Sequence, residues 1–271
     1  FVGTASGVEN RLVPREGFPL RLLEVGPLKQ VSWGRRLRTA AGLPGSILQA
    51  ASILEEARAQ AVFSMGGYSS GPVMLMAWAK GIPVVAMEPN AMPGFAHRSM
   101  APLVTRALLG FQEGIRHFPA GRAEVTGVPI RQEFFELPAK AHRAPFTVLI
   151  TGGSQGSHRL NTAAAEALKL WQASGWLERL VFLHQSGQNE YNEICFRYRE
   201  HGATAEVTPF VEDMPQAFGR ADVVVCRSGA STVAELCAAA KASILVPYPF
   251  AADQHQLRNA EAMQTAGAAR L

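Results

Sequence analysis

The sequence predicts an α/β protein: two doubly wound parallel-sheet domains with a cleft between them. Three observations carry this. Short runs of Val, Ile, Leu and Phe with little alternation read as strands covered on both faces. Most of these runs end in a glycine- or small-residue loop that feeds a helical segment. A polar stretch bracketed by Pro138 and Pro145 separates two blocks of the same architecture. The expected boundaries are a first domain over 1–131, a linker over 132–145 and a second domain over 146–271.

Phe1-Val2-Gly3-Thr4 reads as a strand end running into a turn. Residues 61–64 form the next apolar run, stopped by Gly66-Gly67. A helix follows over 72–80, with Pro72 in a permitted first-turn position. Residues 82–87 make a further buried strand. In the second block, strands are expected over 146–151, 180–184, 222–226 and 243–246, with helices over 158–171, 188–200 and 232–240. The chain's last residues, Ala269-Arg270-Leu271, look like the start of another strand.

Composition narrows the class. Of 271 residues, 48% are hydrophobic and 18% charged, enough for a sizeable core and incompatible with global disorder. Cys195, Cys226 and Cys237 are too few and too irregularly spaced for a disulfide scaffold or a metal cluster, which favours a reducing compartment. No apolar run approaches the roughly 18–20 residues of a spanning helix. A net charge of +4 permits contact with phosphates or an anionic membrane. There is no basic, aromatic-interleaved platform, so no nucleic acid is expected.

Five loops at strand ends have the residues for chemistry. Thr151-Gly-Gly-Ser154-Gln-Gly156 lets backbone approach a phosphate at a helix N-terminus, or is a tight turn without a ligand. Its G-G-x-x-G spacing is neither a dinucleotide fingerprint nor a Walker loop. Cys226-Arg-Ser-Gly-Ala230-Ser231-Thr232-Val-Ala-Glu235 offers a second helix start, where Glu235 suits a ribose diol; Thr232-x-x-Glu235 equally reads as a capping box. Asp253-Gln-His255-Gln256 brings amides suited to sugar hydroxyls, with Asp253 also able to cap the next helix. Met65-Gly66-Gly67-Tyr68-Ser69-Ser70-Gly71-Pro72 is a backbone-rich anion cradle or a glycine turn into a helix. Met87-Glu88-Pro-Asn90 carries a carboxylate suited to a general base, or is a polar loop tip. Between residues 28 and 48, Lys29, Trp33, Arg35, Arg36 and Arg38 suit an anionic membrane surface, or a solvated loop. No nucleophile elbow, His-Glu-x-x-His or Cys-x-x-Cys is present.

Taken together, the loops resemble the MurG family of peptidoglycan N-acetylglucosaminyltransferases, which have the two-domain GT-B fold. The resemblance spans nearly the whole chain. It rests on Phe1-Val-Gly-Thr, Met65-Gly-Gly-Tyr-Ser-Ser-Gly-Pro72, Gly127-Val-Pro-Ile-Arg131, Gly152-Gly-Ser-Gln-Gly156, Phe210-Val-Glu-Asp-Met214, the 226–235 loop and Asp253-Gln-His-Gln256. It implies inverting transfer of GlcNAc from UDP-GlcNAc to the 4-hydroxyl of MurNAc in lipid I, giving lipid II, at the cytoplasmic face of the bacterial inner membrane. The implied partners are UDP-GlcNAc, lipid I and an anionic membrane surface, with no cofactor and no active-site metal.

The resemblance also assigns residues. Ser154 faces the diphosphate, Val211 the uracil, Ala230, Ser231 and Thr232 the phosphate, and Glu235 the ribose. Gln256 and His255 read the GlcNAc hydroxyls. Asn90 and Arg131 reach the donor from the N-terminal side of the cleft. Gly66, Gly67, Tyr68, Ser69 and Ser70 face the acceptor pyrophosphate, and Glu88 is the catalytic candidate within the chain. Two departures stand out. The family's Gly-Gly-Thr-Gly-Gly-His loop, whose histidine is a candidate base, has no counterpart ahead of Phe1, and Met87-Glu-Pro-Asn90 replaces the usual His-Glu-Gln-Asn. The chain is therefore expected to be an internal fragment of a longer transferase. The alternatives are another UDP-sugar transferase or epimerase of the same fold, or a non-catalytic nucleotide-sugar-binding module.

Overall fold

A computed structural model describes residues 1–26, 33–141 and 143–271, with the backbone alone for 33–41. The basic stretch around Trp33, Arg35, Arg36 and Arg38 lies among the side chains outside that description. The chain divides into two units, Phe1–Gly127 and Val128–Leu271.

Among the described residues the first unit has six strands: β1 (Val2–Gly3), β2 (Arg21–Leu22), β3 (Val62–Ser64), β4 (Val84–Glu88), β5 (Arg106–Leu109) and β6 (Ala123–Val125). Its described helices are α1 (Glu9–Arg15), α2 (Trp33–Glu56), α3 (Ser70–Ala79) and α4 (Phe95–Met100). The strands form two sheets: a β1-β2 pair and a four-stranded sheet ordered β3-β4-β5-β6, all parallel. The core is apolar where the sheet meets its helices: Val62, Val84, Ala86, Ala107 and Leu109 pack with Leu54, Met74 and Ala77.

The second unit is doubly wound. Its strands are β7 (Phe146–Thr151), β8 (Leu180–Gln185), β9 (Thr204–Thr208), β10 (Val223–Cys226), β11 (Ala242–Leu245) and β12 (Ala269–Arg270). The helices between them are α5 (His158–Ala173), α6 (Tyr191–Glu200), α7 (Met214–Arg220), α8 (Ala230–Ala238) and α9 (His255–Thr265). The order is β12-β11-β10-β7-β8-β9, all parallel. From β7 the chain winds outward through β8 and β9. It then returns to β10, on the other side of β7, and winds away through β11 and β12. The loops leaving β7 and β10 therefore diverge, and a crevice opens outside their carboxyl ends, the usual ligand position in such sheets.

Within the stretch expected as a linker, Phe134 and Lys140 pack on this unit. Phe134 is fully buried, edge-on to Phe218 at 5.2 Å. The Lys140 ammonium donates to the Asp222 carboxylate, to Arg220 O (2.7 Å) and to Thr147 Oγ1 (3.2 Å).

Candidate functional site

The β7/β10 crevice holds an open cavity of about 840 Å³, within the size range of ligand pockets. Its floor is built by close backbone approach. Gly156 has φ +75°, and a Cβ there would overlap the Ser186 carbonyl; Gly187 (φ +79°) would overlap the Gln155 carbonyl in the same way. The two loops touch main chain to main chain, which only glycine permits.

Buried polar side chains fix the surrounding loops. Gln185, at the end of β8, donates Nε2–H to Gly153 O (2.7 Å) and Thr151 Oγ1 (3.3 Å), while its Oε1 accepts the Val211 N–H (2.9 Å). One amide thus ties the glycine loop to the 209–214 loop. Arg227 donates to Val246 O (3.0 Å), Pro247 O (2.9 Å) and Ser157 Oγ (2.6 Å), and lies 5.6 Å from the centre of the Tyr248 ring. Burial first, and the Arg159 cation second, hold its pKa below the usual arginine value. Ser228 Oγ donates to Gln256 O (2.7 Å), and Asn259 Nδ2 donates to Ser228 O (3.0 Å). These bonds hold Asp253 (φ +50°) and Gln254 (φ +53°), two consecutive left-handed residues without a glycine, a strained turn of the kind found at ligand sites. Gln256 lines the cavity; its Oε1 accepts the Tyr248 N–H (2.9 Å), which leaves its amide hydrogens available.

Helix α8 begins at N-cap Gly229, which makes no side-chain cap. Gly229, Thr232 and Glu235 recur every three residues, so one helix face turns to the cavity. Thr232 lies inside the helix, so the capping-box reading fails. No donor among the described residues bonds the Glu235 carboxylate. Burial raises its pKa, and the Arg131 cation partly opposes that.

A second strand-end cluster lies in the first unit. Glu88, 3% exposed, closes β4. Its carboxylate accepts from Asn90 N–H (3.0 Å), Asn90 Nδ2 (3.2 Å), Gly94 N–H (2.9 Å) and His97 Nδ1 (2.9 Å). Burial pushes its pKa up, but the bonds from His97, Asn90 and Gly94 outweigh that and hold it below the usual carboxylate value. The His97 proton on Nδ1 leaves Nε2 to accept from Ser64 Oγ (3.2 Å), and Ser64 Oγ accepts the Gly66 N–H (3.2 Å). The loop with Gly66 (φ +85°) and Gly67 (φ +87°) thus rests on a Glu–His–Ser chain.

Family models agree with this architecture. The glycosyltransferase family 28 N-terminal domain matches residues 1–109, and its C-terminal domain matches residues 147–271. A UDP-N-acetylglucosamine–N-acetylmuramyl-(pentapeptide) pyrophosphoryl-undecaprenol N-acetylglucosamine transferase of Solibacter usitatus is 52% identical over the whole chain and 74% of its own length. The Myxococcus xanthus enzyme of that name is 40% identical, covering 99% of this chain and 70% of its own. The chain belongs to the MurG family. The crystal structure of Acinetobacter baumannii MurG aligns at TM-score 0.78 and 32% identity, covering 99% of this chain and 74% of that one. The units described here are thus the two Rossmann-like halves of a GT-B fold. A Neisseria meningitidis UDP-GlcNAc 2-epimerase aligns at TM-score 0.56 and 13% identity, a likeness of fold alone.

Within this MurG-family chain, Ser154, Val211, Thr232, Glu235 and Gln256 line the one cavity, as does Arg131. Arg131 belongs to the second unit and not to the N-terminal side; its guanidinium lies 5.2 Å from the Phe134 ring centre. Ala230 and Ser231 start α8 but do not line the cavity, nor does His255, whose Nδ1 donates to Ala252 O (2.7 Å). The Val211 N–H is taken by Gln185, so any uracil contact there falls to other groups of the 210–212 backbone. Asp253 does not cap α9; Gln254 occupies the N-cap and makes no side-chain bond there. Glu88, the catalytic candidate, accepts four hydrogen bonds from its own unit and anchors the loop around it. Asn90 bonds it, in the first unit. Of the acceptor-loop residues, Ser70 Oγ donates to Gly66 O (2.5 Å), while Gly67 and Tyr68 are exposed and Ser69 half-buried. Sequence reasoning missed Gln185, Arg227 and His158. For Gln185 and Arg227 the sequence signal is a polar or charged residue at the end of an apolar strand run; for His158 it is a polar residue opening the helix after the glycine loop.

Proposed function

We propose that this chain transfers GlcNAc from UDP-GlcNAc to the 4-hydroxyl of MurNAc in lipid I, with inversion, yielding lipid II. The bond from sugar C1 to the diphosphate oxygen breaks, its electron pair leaving on UDP. A bond from O4 to C1 forms, and the O4 proton goes to a base. The observation that carries the donor reading is Glu235: a partly buried carboxylate with no hydrogen-bond donor among the described residues, on the helix face that shares the crevice with the glycine loop. It suits a ribose diol, whose two hydroxyls can both donate to it. Ser154, Thr232, Arg131 and the start of α8 suit the diphosphate, because helix N-termini and guanidinium groups favour phosphate oxygens. Gln256 suits the sugar hydroxyls. The first-unit loop 66–70 suits the acceptor pyrophosphate.

The chain acts as a peripheral protein on an anionic membrane, at the cytoplasmic face. No helix among the described residues is long and apolar enough to cross a bilayer. Beside the acceptor loop, Met65, Tyr68 and Phe95 are exposed, apolar groups suited to a lipid surface.

The test supplies labelled UDP-GlcNAc and a lipid I analogue to the chain and follows the label. Formation of the disaccharide lipid, inhibited by UDP, is expected. Binding of UDP without transfer would favour a nucleotide-sugar-binding module, and absence of UDP binding would overturn the reading altogether.

A further inference from the structure

A chain of hydrogen bonds runs from the core of the second unit to the cavity wall. Tyr198 and His184 Nδ1 are 3.0 Å apart, as are His184 Nε2 and Asn161 Oδ1. The Asn161 oxygen only accepts, so His184 carries its proton on Nε2 and accepts the Tyr198 O–H on Nδ1. Burial agrees, pushing the His184 pKa down to about 4 and keeping the ring neutral. Asn161 Nδ2 then donates to Glu190 Oε2 (2.7 Å) and Ser186 O (2.8 Å). The other oxygen of Glu190, Oε1, lies 2.7 Å from His158 Nδ1. A carboxylate only accepts, so His158 Nδ1 carries a proton and Nε2 is the nitrogen left for a ligand.

The two ends of this chain differ sharply. Asn161 and His184 are 1% exposed, whereas the His158 side chain is 79% exposed, lines the cavity and opens α5 directly after the glycine loop. A buried, fully bonded network that ends in one open imidazole orients that imidazole.

We propose that His158, held by Glu190, donates its Nε2–H to the terminal phosphate of the bound nucleotide diphosphate and stabilises UDP as it leaves. This rests on the donor-site reading above. In the transfer step no bond to His158 forms or breaks: the Nε2 proton is taken up when the nucleotide binds, the electron pair of the broken C1–O bond settles on the phosphate oxygen, and the proton stays on nitrogen. The charged groups around His158 are Glu190 just before α6, Arg159 beside it on α5, and Arg227, which lines the same cavity and bonds the neighbouring Ser157 Oγ. With Nδ1–H on Glu190 and Nε2–H on the phosphate, both ring nitrogens donate, so the ligand-bound ring is the imidazolium. Glu190 and Asn161 are positioning residues.

Calorimetric titrations of UDP and of UMP, each in two buffers of different ionisation heat near pH 7, test this on the intact chain. His158→Gln is expected to weaken UDP about 10-fold and UMP less than 2-fold, because only UDP has the second phosphate. Proton uptake on UDP binding, present in the parent chain, should vanish. Glu190→Gln should weaken UDP about 3-fold. His158→Arg should restore most UDP affinity without restoring proton uptake. The exposed position of His158 makes misfolding unlikely to confuse the result, and a thermal melt of each variant checks it. If the parent chain binds no UDP, the donor-site reading fails. If it binds UDP and His158→Gln binds equally well, or loses UDP and UMP equally, this proposal alone is overturned.

Discussion

Two glutamates mark the difference between the two units. Glu88 and Glu235 both stand beside glycine-rich strand-end loops, and the sequence marks both as candidate ligand-binding or catalytic groups. Glu88 accepts four hydrogen bonds, and its pKa is lowered despite burial. Glu235 accepts none among the described residues, and burial raises its pKa. The first carboxylate is already satisfied by the fold, whereas the second is desolvated with only the Arg131 cation to offset it and gains when a hydroxyl donor arrives. In the second unit, Gln185, Arg227, Ser228 and Asn259 hold the loops, and Glu235 faces the cavity unencumbered.

The largest effect that separates the two is on stability. Glu88→Ala leaves His97, the Asn90 and Gly94 N–H groups and the Ser64 chain without their acceptor, and should cost about 3–5 kcal/mol in denaturant unfolding. Glu235→Ala should change stability by less than about 0.5 kcal/mol, as expected where no hydrogen bond is lost. Equal losses would erase the distinction.

Next in size is an acid effect confined to the second unit. His184 is neutral in the native state with a pKa of about 4, against 6.5 for an unperturbed ring. Between these values the unfolded chain binds the extra proton, so stability falls as pH drops from 6.5 to 4, by about 3 kcal/mol in all. Above pH 6.5 the group contributes no slope. His184→Gln should remove this part of the pH dependence, whatever its starting stability; an unchanged slope would place the acid sensitivity elsewhere.

The smallest energy belongs to the ligand. Glu235→Ala should weaken UDP about 10- to 100-fold by calorimetry, the worth of hydrogen bonds to a charged acceptor. A uridine nucleotide lacking the ribose hydroxyls should show no such loss on the same substitution.

Much of this organisation is legible in the sequence. The 146–151 strand and the helix opening at 158 come directly from an apolar run and the glycine loop after it. Strands β2, β5, β6 and β9 carry no clear sequence signal: the first three span only two to four residues, and Thr204-Ala-Glu-Val-Thr208 mixes polar and apolar residues on an edge strand. The glycine of Gly156 is visible as a residue, but its reason, contact with the 186–187 backbone, is tertiary. The same holds for the clamps. Gln185 meets Val211 across 26 positions and Arg227 meets Ser157 across 70, distances over which local patterning carries no information. Hydrogen bonds decide between anchor and ligand group, which is why sequence alone could not rank Glu88 against Glu235.

The central claim is that the β7/β10 crevice grips the uridine diphosphate. Backbone amide NMR of the isotopically labelled chain titrated with UDP tests it most directly. The account predicts saturable shifts at Gly153, Ser154, Glu212, Thr232 and Glu235, with Gly66, Gly67 and Asn90 unmoved. Saturable shifts centred on the first-unit loop, with the crevice amides unchanged, would contradict it.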